Sequence, residues 1–517
     1  MKKFKKIFAI VLAMAIILGM SVTAFADTTA QPGNITVNGL TTEEAVTATA
    51  YQVLEFDAAA GAWKLTNWAK TALGENAATA LGVLTTEANS NGSTIAGYLT
   101  TLAAASGKVE VATDTTSATG DVYADSITLA TAELGSYLVI CTSENWSYTN
   151  MLINNYDYDR TNGNVLKVGT GTAKGTHNNV IDEKKVTTET DAQVAVGDII
   201  GYTVTGTFPH FEGYSEPSFK ITDTMSENLV PYTTGENGAW TNNDITIKIG
   251  GTAIESGAYT VETTDKGFEI NFKQSWLIDN AKNYAEATGA DRKIEITYSA
   301  RVTGYVATGY KNTVESTIKT DNTGEKEGDP HETTSYTAAL ELRKIDSANN
   351  NALAGATFVL RTTDNGATKY VKFTTVDGVT DMELVDEADD ATPFETNEQG
   401  VISVEGLDPD YEYTLTETVA PNGYSKATAE ATIKFVPSET DEGKYTATLT
   451  AEGNEWALGN NSGTNASEKP QVVLSDTRLS SLPSTGGIGT TIFTIGGCAI
   501  IIVAAGLFFA SRRKKSA

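Results

Sequence analysis

Apolar and polar residues alternate over short segments along most of the chain. Ile199 to Thr207 reads IIGYTVTGT, Lys293 to Val302 reads KIEITYSARV, and Tyr413 to Thr418 repeats the pattern. A period of two puts every second side chain on one face of a strand, and turn residues separate the segments. The patterning predicts a mainly β chain of tandem immunoglobulin-like β-sandwich domains. One region departs from it. Trp63 to Ala105 is rich in Ala and Leu, with WAKTAL and IAGYLTTLAAA, and predicts one or two helices within an otherwise β domain. Ser136 to Thr142 reads as a strand in which Cys141 is a small buried apolar residue.

Two longer apolar runs lie near the ends. Lys2, Lys3, Lys5 and Lys6 precede the run Ile7 to Met20, and Ala24-Phe25-Ala26 has the small-x-small form of a signal-peptidase site. Residues 1–26 are therefore expected to be a signal peptide, with the mature chain starting at Asp27. Thr491 to Ala510 holds no charged residue and is long enough to cross a bilayer as a helix; Arg512, Arg513, Lys514 and Lys515 behind it should stay cytoplasmic. The 459 residues from Asp27 to Thr485 suffice for roughly three domains. Polar segments mark the boundaries. One is Asn162 to Asn179, with Gly163, Gly169, Gly171 and Gly175; the other is Asp321 to Ser335, with Pro330. The expected domains are 27–178, 179–335 and 336–481, followed by a terminal segment 482–517 with its transmembrane helix over 491–510.

The formal charge is −28, and without the two basic ends the rest sums to −36. Nothing offers a basic stripe to phosphates, so a nucleic-acid partner is excluded, and a solvated acidic exterior is the expectation. Of the two cysteines, Cys498 falls in the apolar run. Cys141 thus has no partner for an intramolecular disulfide, and either the cores suffice or another covalent bond stabilises the chain. His177, His210 and His331 are scattered in polar context without metal-ligand spacing, and read as surface or turn residues. No GxSxG elbow and no phosphate loop is present. The expectation is no cofactor, no metal and no enzyme of the ordinary kind.

After each boundary the chain restarts with a lysine inside a strand-like phrase: Val180 to Val186 reads VIDEKKV, and Ala339 to Asp346 reads ALELRKID. A lysine pointing inward costs several kcal/mol unless neutral or paired. The alternative is a surface lysine on an edge strand. Register decides between Lys184 and Lys185, and Val186 shares a face with Lys184.

Further motifs give these lysines a setting. LPSTG, at Leu482, Pro483, Ser484, Thr485 and Gly486, stands ahead of the apolar run and basic tail. This order resembles the cell-wall sorting signal of Gram-positive surface proteins. The resemblance implies that a sortase cleaves between Thr485 and Gly486 and passes the Thr485 acyl group to an amine, on a peptidoglycan crossbridge or on another subunit. After Lys344 come LAGATF, from Leu353, and YTLTETVAPNGY, from Tyr413 to Tyr424. That set resembles the B-type domains first named for a collagen adhesin, and implies an internal isopeptide bond with Lys344 as nucleophile and Glu417 as proton shuttle. The acceptor belongs at the end of the last strand, where QVVLSD offers Asp476. The family more often has Asn there, so Asn460, Asn461 and Asn465 stay open. Phe219 to Thr224 (FKITDT) and Tyr310 to Val314 (YKNTV) resemble the A-type pilin fold, which implies Lys184, Asp223 and Asn312, with Lys185 as the alternative lysine. Thr172-Ala173-Lys174-Gly175 resembles a looser form of the element that carries the acceptor lysine of shaft pilins, though Tyr-Pro-Lys-Asn is absent. Lys174 is the expected intersubunit acceptor, an exposed connector lysine, and Lys167 is the alternative.

Taken together, the resemblances imply a major (shaft) pilin. This is a structural subunit, with catalysis confined to a single-turnover, autocatalytic bond formation. The implied partners are pilin-specific and housekeeping sortases, other copies of the chain, peptidoglycan, and tip and base pilins. The alternative is a singly anchored adhesin or minor pilin that binds a host matrix or glycan ligand.

Overall fold

In the computed structural model the described residues are 33–85, 92–159, 163–187, 193–233, 240, 244–264, 266–285, 289–320, 324–459, 466–479 and 488–513. The expected signal peptide, the LPSTG pentapeptide and Asn460, Asn461 and Asn465 lie outside them. The described chain is mainly β, in three successive sandwich-like units.

In the first unit, strand β1 (Ile35–Asn38) lies between Ser126–Leu129 and β4 (Gly169–Thr172). The second sheet is centred on β2 (Thr47–Asp57) and β3 (Gly135–Thr142). Strand β3 reads GSYLVICT and is apolar on both faces. Tyr137, Val139 and Cys141 pack with Ile35 and Val37, whereas Leu138 packs against helices. Those are α1 (Asn67–Leu73), α2 (Ala77–Thr85) and α3 (Gly92–Ala104), which bury Leu73, Ala80, Leu84, Leu99 and Leu102 on that face. Among the described residues the expected one or two helices are three, and Gly74, at φ +55, ends α1 after two turns. Trp63 lies in a hairpin strand, Ala62–Leu65, not in a helix.

The middle unit opens with β5 (Ile181–Val186) and β6 (Ile199–Thr207), which continue to β8 (Lys293–Val302) in one sheet. The facing sheet is built around β7 (Ser218–Met225) and β9 (Tyr310–Thr320). Strict alternation on β8 and β9 turns Ile296, Tyr298, Val314 and Ile318 into one interlayer core with Val204, Phe219 and Phe268. The third unit repeats the plan. Strand β10 (Ala338–Asp346) lies between Val401–Leu407 and the last strand, β13 (Gln471–Asp476). The facing sheet holds β11 (Thr357–Asp364) and β12 (Glu412–Val419). Leu340, Leu342, Phe358, Leu415 and Leu474 fill the space between.

Much of the described part of both segments expected as polar boundaries forms paired strands. Within 162–179, β4 runs parallel to β1, and Gly175–His177 pairs with Trp146–Tyr148. The glycines there are explained by close approach: a Cβ on Gly169 would lie 2.3 Å from the Asn154 carbonyl oxygen. Within 321–335, Gly324–Glu327 and His331–Ser335 both pair with β9. Charged residues suit such edge strands, and Pro330 falls between the two.

At the C-terminal end, α4 (Ile488–Arg513) covers the expected apolar run, with Phe493, Ile500 and Phe509 exposed. Among the described residues no helix is long and apolar enough to cross a membrane, and part of the expected 491–510 span lies outside the described side chains.

Neighbouring units touch through specific contacts. Val196 donates its amide to the Gly406 carbonyl (3.0 Å) and accepts from Met382 (2.9 Å), and Arg301 meets Asp381 at 2.6 Å. Gly206 brings β5 against β6: a Cβ there would lie 2.0 Å from the Val180 carbonyl oxygen. Gly206→Ala should therefore push β5 outward and destabilise the middle unit by about 1–3 kcal/mol. Denaturant unfolding checks this, and an unchanged midpoint would contradict the described closeness of the two strands.

Candidate functional site

Strand β5 carries a bulge between Ile181 and Glu183. The bulge lets Ile181 and Lys184, three positions apart, both face the core, which simple alternation forbids. Lys184 is buried, whereas Lys185 is more than half exposed beside Glu183. Lys184 Nζ crosses the interlayer space and lies 2.7 Å from Asp223 Oδ2 on β7. Its ceiling is aromatic: Nζ is 5.2 Å from the centre of the Tyr202 ring and 5.7 Å from that of Tyr298, two rings stacked at 5.3 Å. The Tyr298 hydroxyl donates to Asp223 Oδ2 and accepts from Asn312 Nδ2 at 3.1 Å. Asn312, on β9 opposite Met225, is fully buried, and its Oδ1 has no hydrogen-bond donor among the described residues. Such an oxygen is uncommon in a core and is available to a protonated carboxyl.

The electrostatics favour neutral partners. Burial pushes the Lys184 amine down to about 8, against the raising effect of Asp223. Burial likewise pushes the Asp223 carboxyl up, although Lys184, Tyr298 and Asn312 oppose it. A neutral amine is a nucleophile, and a protonated carboxyl can polarise a carbonyl oxygen.

The third unit presents a parallel arrangement on different strands. Lys344 on β10 is fully buried, with Nζ 2.9 Å from Glu417 Oε1 on β12 and 5.6 Å from the centre of the Phe358 ring. Nζ also contacts Oδ1 of Asp476, the last residue of β13. Glu417 Oε2 accepts the Ala427 amide at 2.6 Å, which fixes the carboxyl. Strands β10 and β13 run parallel, with Lys344 opposite Leu474 and Asp346 opposite Asp476. Burial pushes the Asp476 carboxyl up to about 6, against the lowering effect of Lys344 and with a raising contribution from Glu417.

Each expected lysine, acid and acceptor is therefore brought together within its own core. The aromatic lining, Tyr202 and Tyr298, was not anticipated, although both residues lie at inward positions of the alternating segments quoted above.

Two expectations need correction. Lys174 is not freely exposed: about a third of its side chain is accessible, and Nζ is paired with Glu212 of the middle unit. Lys167 is the more exposed of the two, 3.7 Å from Asp157. His210 is not a surface residue. It is buried where the first two units meet, its backbone clasped by the Thr176 hydroxyl, and burial lowers its imidazole to about 4. Among the described residues no cluster of His, Cys, Asp or Glu could hold a metal ion.

A pH dependence follows from Asp476. Its folded carboxyl keeps its proton to higher pH than the ordinary value of 3.8, so its contribution to stability is fully present below about pH 4 and lost as pH rises through about 6. Lys344→Met removes the opposing ammonium and leaves Asp476 beside Glu417. In that variant, calorimetry should show the third unit losing stability between about pH 4 and 7. The added variant Lys344→Met with Asp476→Asn should flatten this loss, and the same loss in both would contradict the assignment to Asp476.

Residues 338–452 match the SpaA family, described as a prealbumin-like fold domain, and residues 476–517 match the LPXTG cell wall anchor motif. No curated protein is matched. Among solved structures, the T6 backbone pilin of serotype M6 Streptococcus pyogenes is similar over 87% of this chain and 99% of its own, at 16% identity and a TM-score of 0.50. The major pilin SpaD of Corynebacterium diphtheriae is similar over 87% and 98%, at 15% identity and a TM-score of 0.48. The major pilin subunit BcpA of Bacillus cereus is similar over 87% and 100%, at 15% identity and a TM-score of 0.43. The chain thus carries a prealbumin-like SpaA domain and an LPXTG cell wall anchor motif on a fold like that of the modular three-domain T6 backbone pilin.

Proposed function

We propose that this chain is the structural subunit of a covalently polymerised pilus on a Gram-positive cell wall, with an internal isopeptide bond in each of its second and third domains. The observation that carries the proposal is the repeated enclosure of a lysine with a carboxyl and an acceptor: Lys184 with Asp223 and Asn312, and Lys344 with Glu417 and Asp476. A buried ion pair is a poor source of stability, because desolvation offsets attraction. Two such pairs in tandem, each beside an amide or a second carboxyl, are better explained as reactants.

The chemistry needs no cofactor. Lys184 Nζ attacks Cγ of Asn312; the C–N bond to the side-chain nitrogen breaks, and ammonia leaves with protons relayed by Asp223. Lys344 Nζ attacks Cγ of Asp476, and water leaves with Glu417 as the relay. Neutral amine and protonated acid are both favoured by burial, and held reactants gain effective molarity. By the chain-entropy model for cross-links, closing a loop of either size stabilises by about 4–5 kcal/mol.

The anchor motif supports a route to polymerisation. The precursor would be held by a span over 491–510, cleaved between Thr485 and Gly486 by a pilin-specific sortase, and joined through Thr485 to Lys174 of the next copy. A housekeeping sortase would pass the finished fibre to peptidoglycan, with tip and base pilins at its ends. The pairing of Lys174 with Glu212 favours a second reading, a singly anchored adhesin or minor pilin that binds a host ligand, since a paired lysine is a less available acceptor.

Two measurements test the proposal. The intact mass of the purified ectodomain should fall short of the sequence mass by one ammonia and one water. Asn312→Ala should abolish the ammonia-sized deficit relative to its own sequence mass and lower middle-domain stability by several kcal/mol; an unmodified wild-type mass rejects both bonds. On an immunoblot of cell-wall extract boiled in detergent, wild type should give a ladder that collapses to monomer in Lys174→Ala. A ladder that persists moves the acceptor, with Lys167 next, and a single band in wild type with the sortase expressed favours the adhesin.

A further inference from the structure

A second polar cluster lies at the same end of the third domain and takes no part in the chemistry above. Asp346 has a side chain only 1% exposed. Its Oδ2 accepts the Tyr424 hydroxyl at 2.7 Å and Arg478 Nε at 2.9 Å, and its Oδ1 accepts the Ala348 amide at 2.8 Å. Arg478 Nε also lies 3.1 Å from the Tyr424 hydroxyl, and its guanidinium carbon sits 5.6 Å from the centre of the Tyr424 ring. The Tyr424 hydroxyl, the Ala348 amide and Arg478 together hold the Asp346 carboxyl below its ordinary range. Backbone bonds tighten the cluster. Ser425 donates to Thr477 at 3.1 Å, Leu479 to Gly423 at 3.0 Å, and Ser347 to Asp476 at 2.9 Å.

The placement of these residues is systematic. Asp346 follows Lys344 by two positions on β10, and Arg478 follows Asp476 by two positions beyond β13. Tyr424 ends the turn that leaves β12, the strand of Glu417. The ladder sets Lys344 opposite Leu474 and Asp346 opposite Asp476. Lys344 to Asp476 and Asp346 to Arg478 are therefore the same diagonal step, repeated once along the ladder. One pair is in the core and the other is at its rim.

We propose that Asp346, Tyr424 and Arg478 form a buckle that sets the register of the last strand and so positions Asp476 for attack by Lys344. The proposal rests on the reading that this pair becomes an amide. All three are positioning residues, since none touches the reacting atoms. Strand β13 must find a parallel partner that precedes it by more than a hundred residues, and a slip of one position would turn Asp476 out of the core. Amide formation needs the amine and the carbonyl carbon at near-attack distance, and a misplacement of about 1 Å can cost on the order of a hundredfold in rate. Arg478 is two-thirds exposed, so its ion pair adds little equilibrium stability. The buckle should therefore act on the rate of bond formation far more than on melting.

The test is a time course on the full chain made by cell-free synthesis with detergent, quenched in denaturant and read by intact mass for the loss of water. The Asn312→Ala background removes the ammonia signal, and Glu417→Ala gives the unreactive reference. Arg478→Ala and Asp346→Asn should each slow the loss about tenfold or more, and the double variant should be no slower than the singles, as expected of one coupled unit. Arg478→Lys should stay slow, because an ammonium does not reproduce the planar contact with Tyr424. In Lys344→Met, where no bond forms, Arg478→Ala should leave the melting temperature within a few degrees. Wild-type rates in Arg478→Ala overturn the proposal. A large melting loss in the Lys344→Met background also overturns it, by reducing the cluster to a structural one. If wild type itself loses no water, the amide reading fails first, and the buckle loses the reaction it is meant to serve.

Discussion

A lysine enclosed between two β-sheets has lost its water, and the rest of this architecture is arranged around that loss. Lys184 and Lys344 are each held within 3 Å of a carboxylate in an otherwise aromatic and aliphatic layer. An ammonium in such a place is expensive unless paired, and a pair in such a place is expensive unless every lone pair is used. Here oxygens are left over, on Asn312 and on Asp476. As permanent structure the sites would be poorly satisfied. As reactants they make sense, since loss of water turns the Lys344 and Asp476 charges into one neutral amide, and loss of ammonia turns Lys184 into a neutral amide beside a protonated Asp223.

The location of the two sites follows from the sandwich plan. In the middle domain the lysine comes from the first strand of one sheet, and the acid and amide come from the facing sheet. In the third domain lysine and acceptor are on adjacent parallel strands of one sheet, with the acid reaching over from the other. The proposed chemistry is alike and the topology is not, so each domain meets the same desolvation problem separately. In both, the lysine lies on the strand by which the chain enters the domain, and in the third domain Asp476 lies on the strand by which it leaves. With the proposed cross-links in place, a tensile load along the chain would bypass most of each domain.

Much of this was legible from residue order. Alternation in KIEITYSARV and YTLTET gave strands of the right face, because antiparallel sandwich strands with one buried side obey a period of two. Asp476 came from the resemblance of the surrounding motifs, and the period of two in QVVLSD agrees with its inward placement beside Val472 and Leu474. Lys184 rather than Lys185 was readable from Val186, which shares its face; the bulge before Glu183, which brings Ile181 to that face as well, was not, because no local residue announces it. The glycine-rich segment before the middle domain looked like linker, yet its glycines mark contact with Asn154, Ile153 and Tyr148, which only tertiary structure reveals. Lys174 looked free because its partner, Glu212, is supplied by the following domain. Arg478 carried no sequence signal at all: it matters through Asp346, which precedes it by more than a hundred residues.

The central claim is that the second and third domains are closed covalently from within. Pulling a single chain from its two ends by force spectroscopy tests this most directly. If the account holds, the residues between Lys184 and Asn312, and between Lys344 and Asp476, add no length to the extended chain, and only the first domain unfolds in a large step. Extension steps that release either of those stretches in the wild-type protein would contradict it.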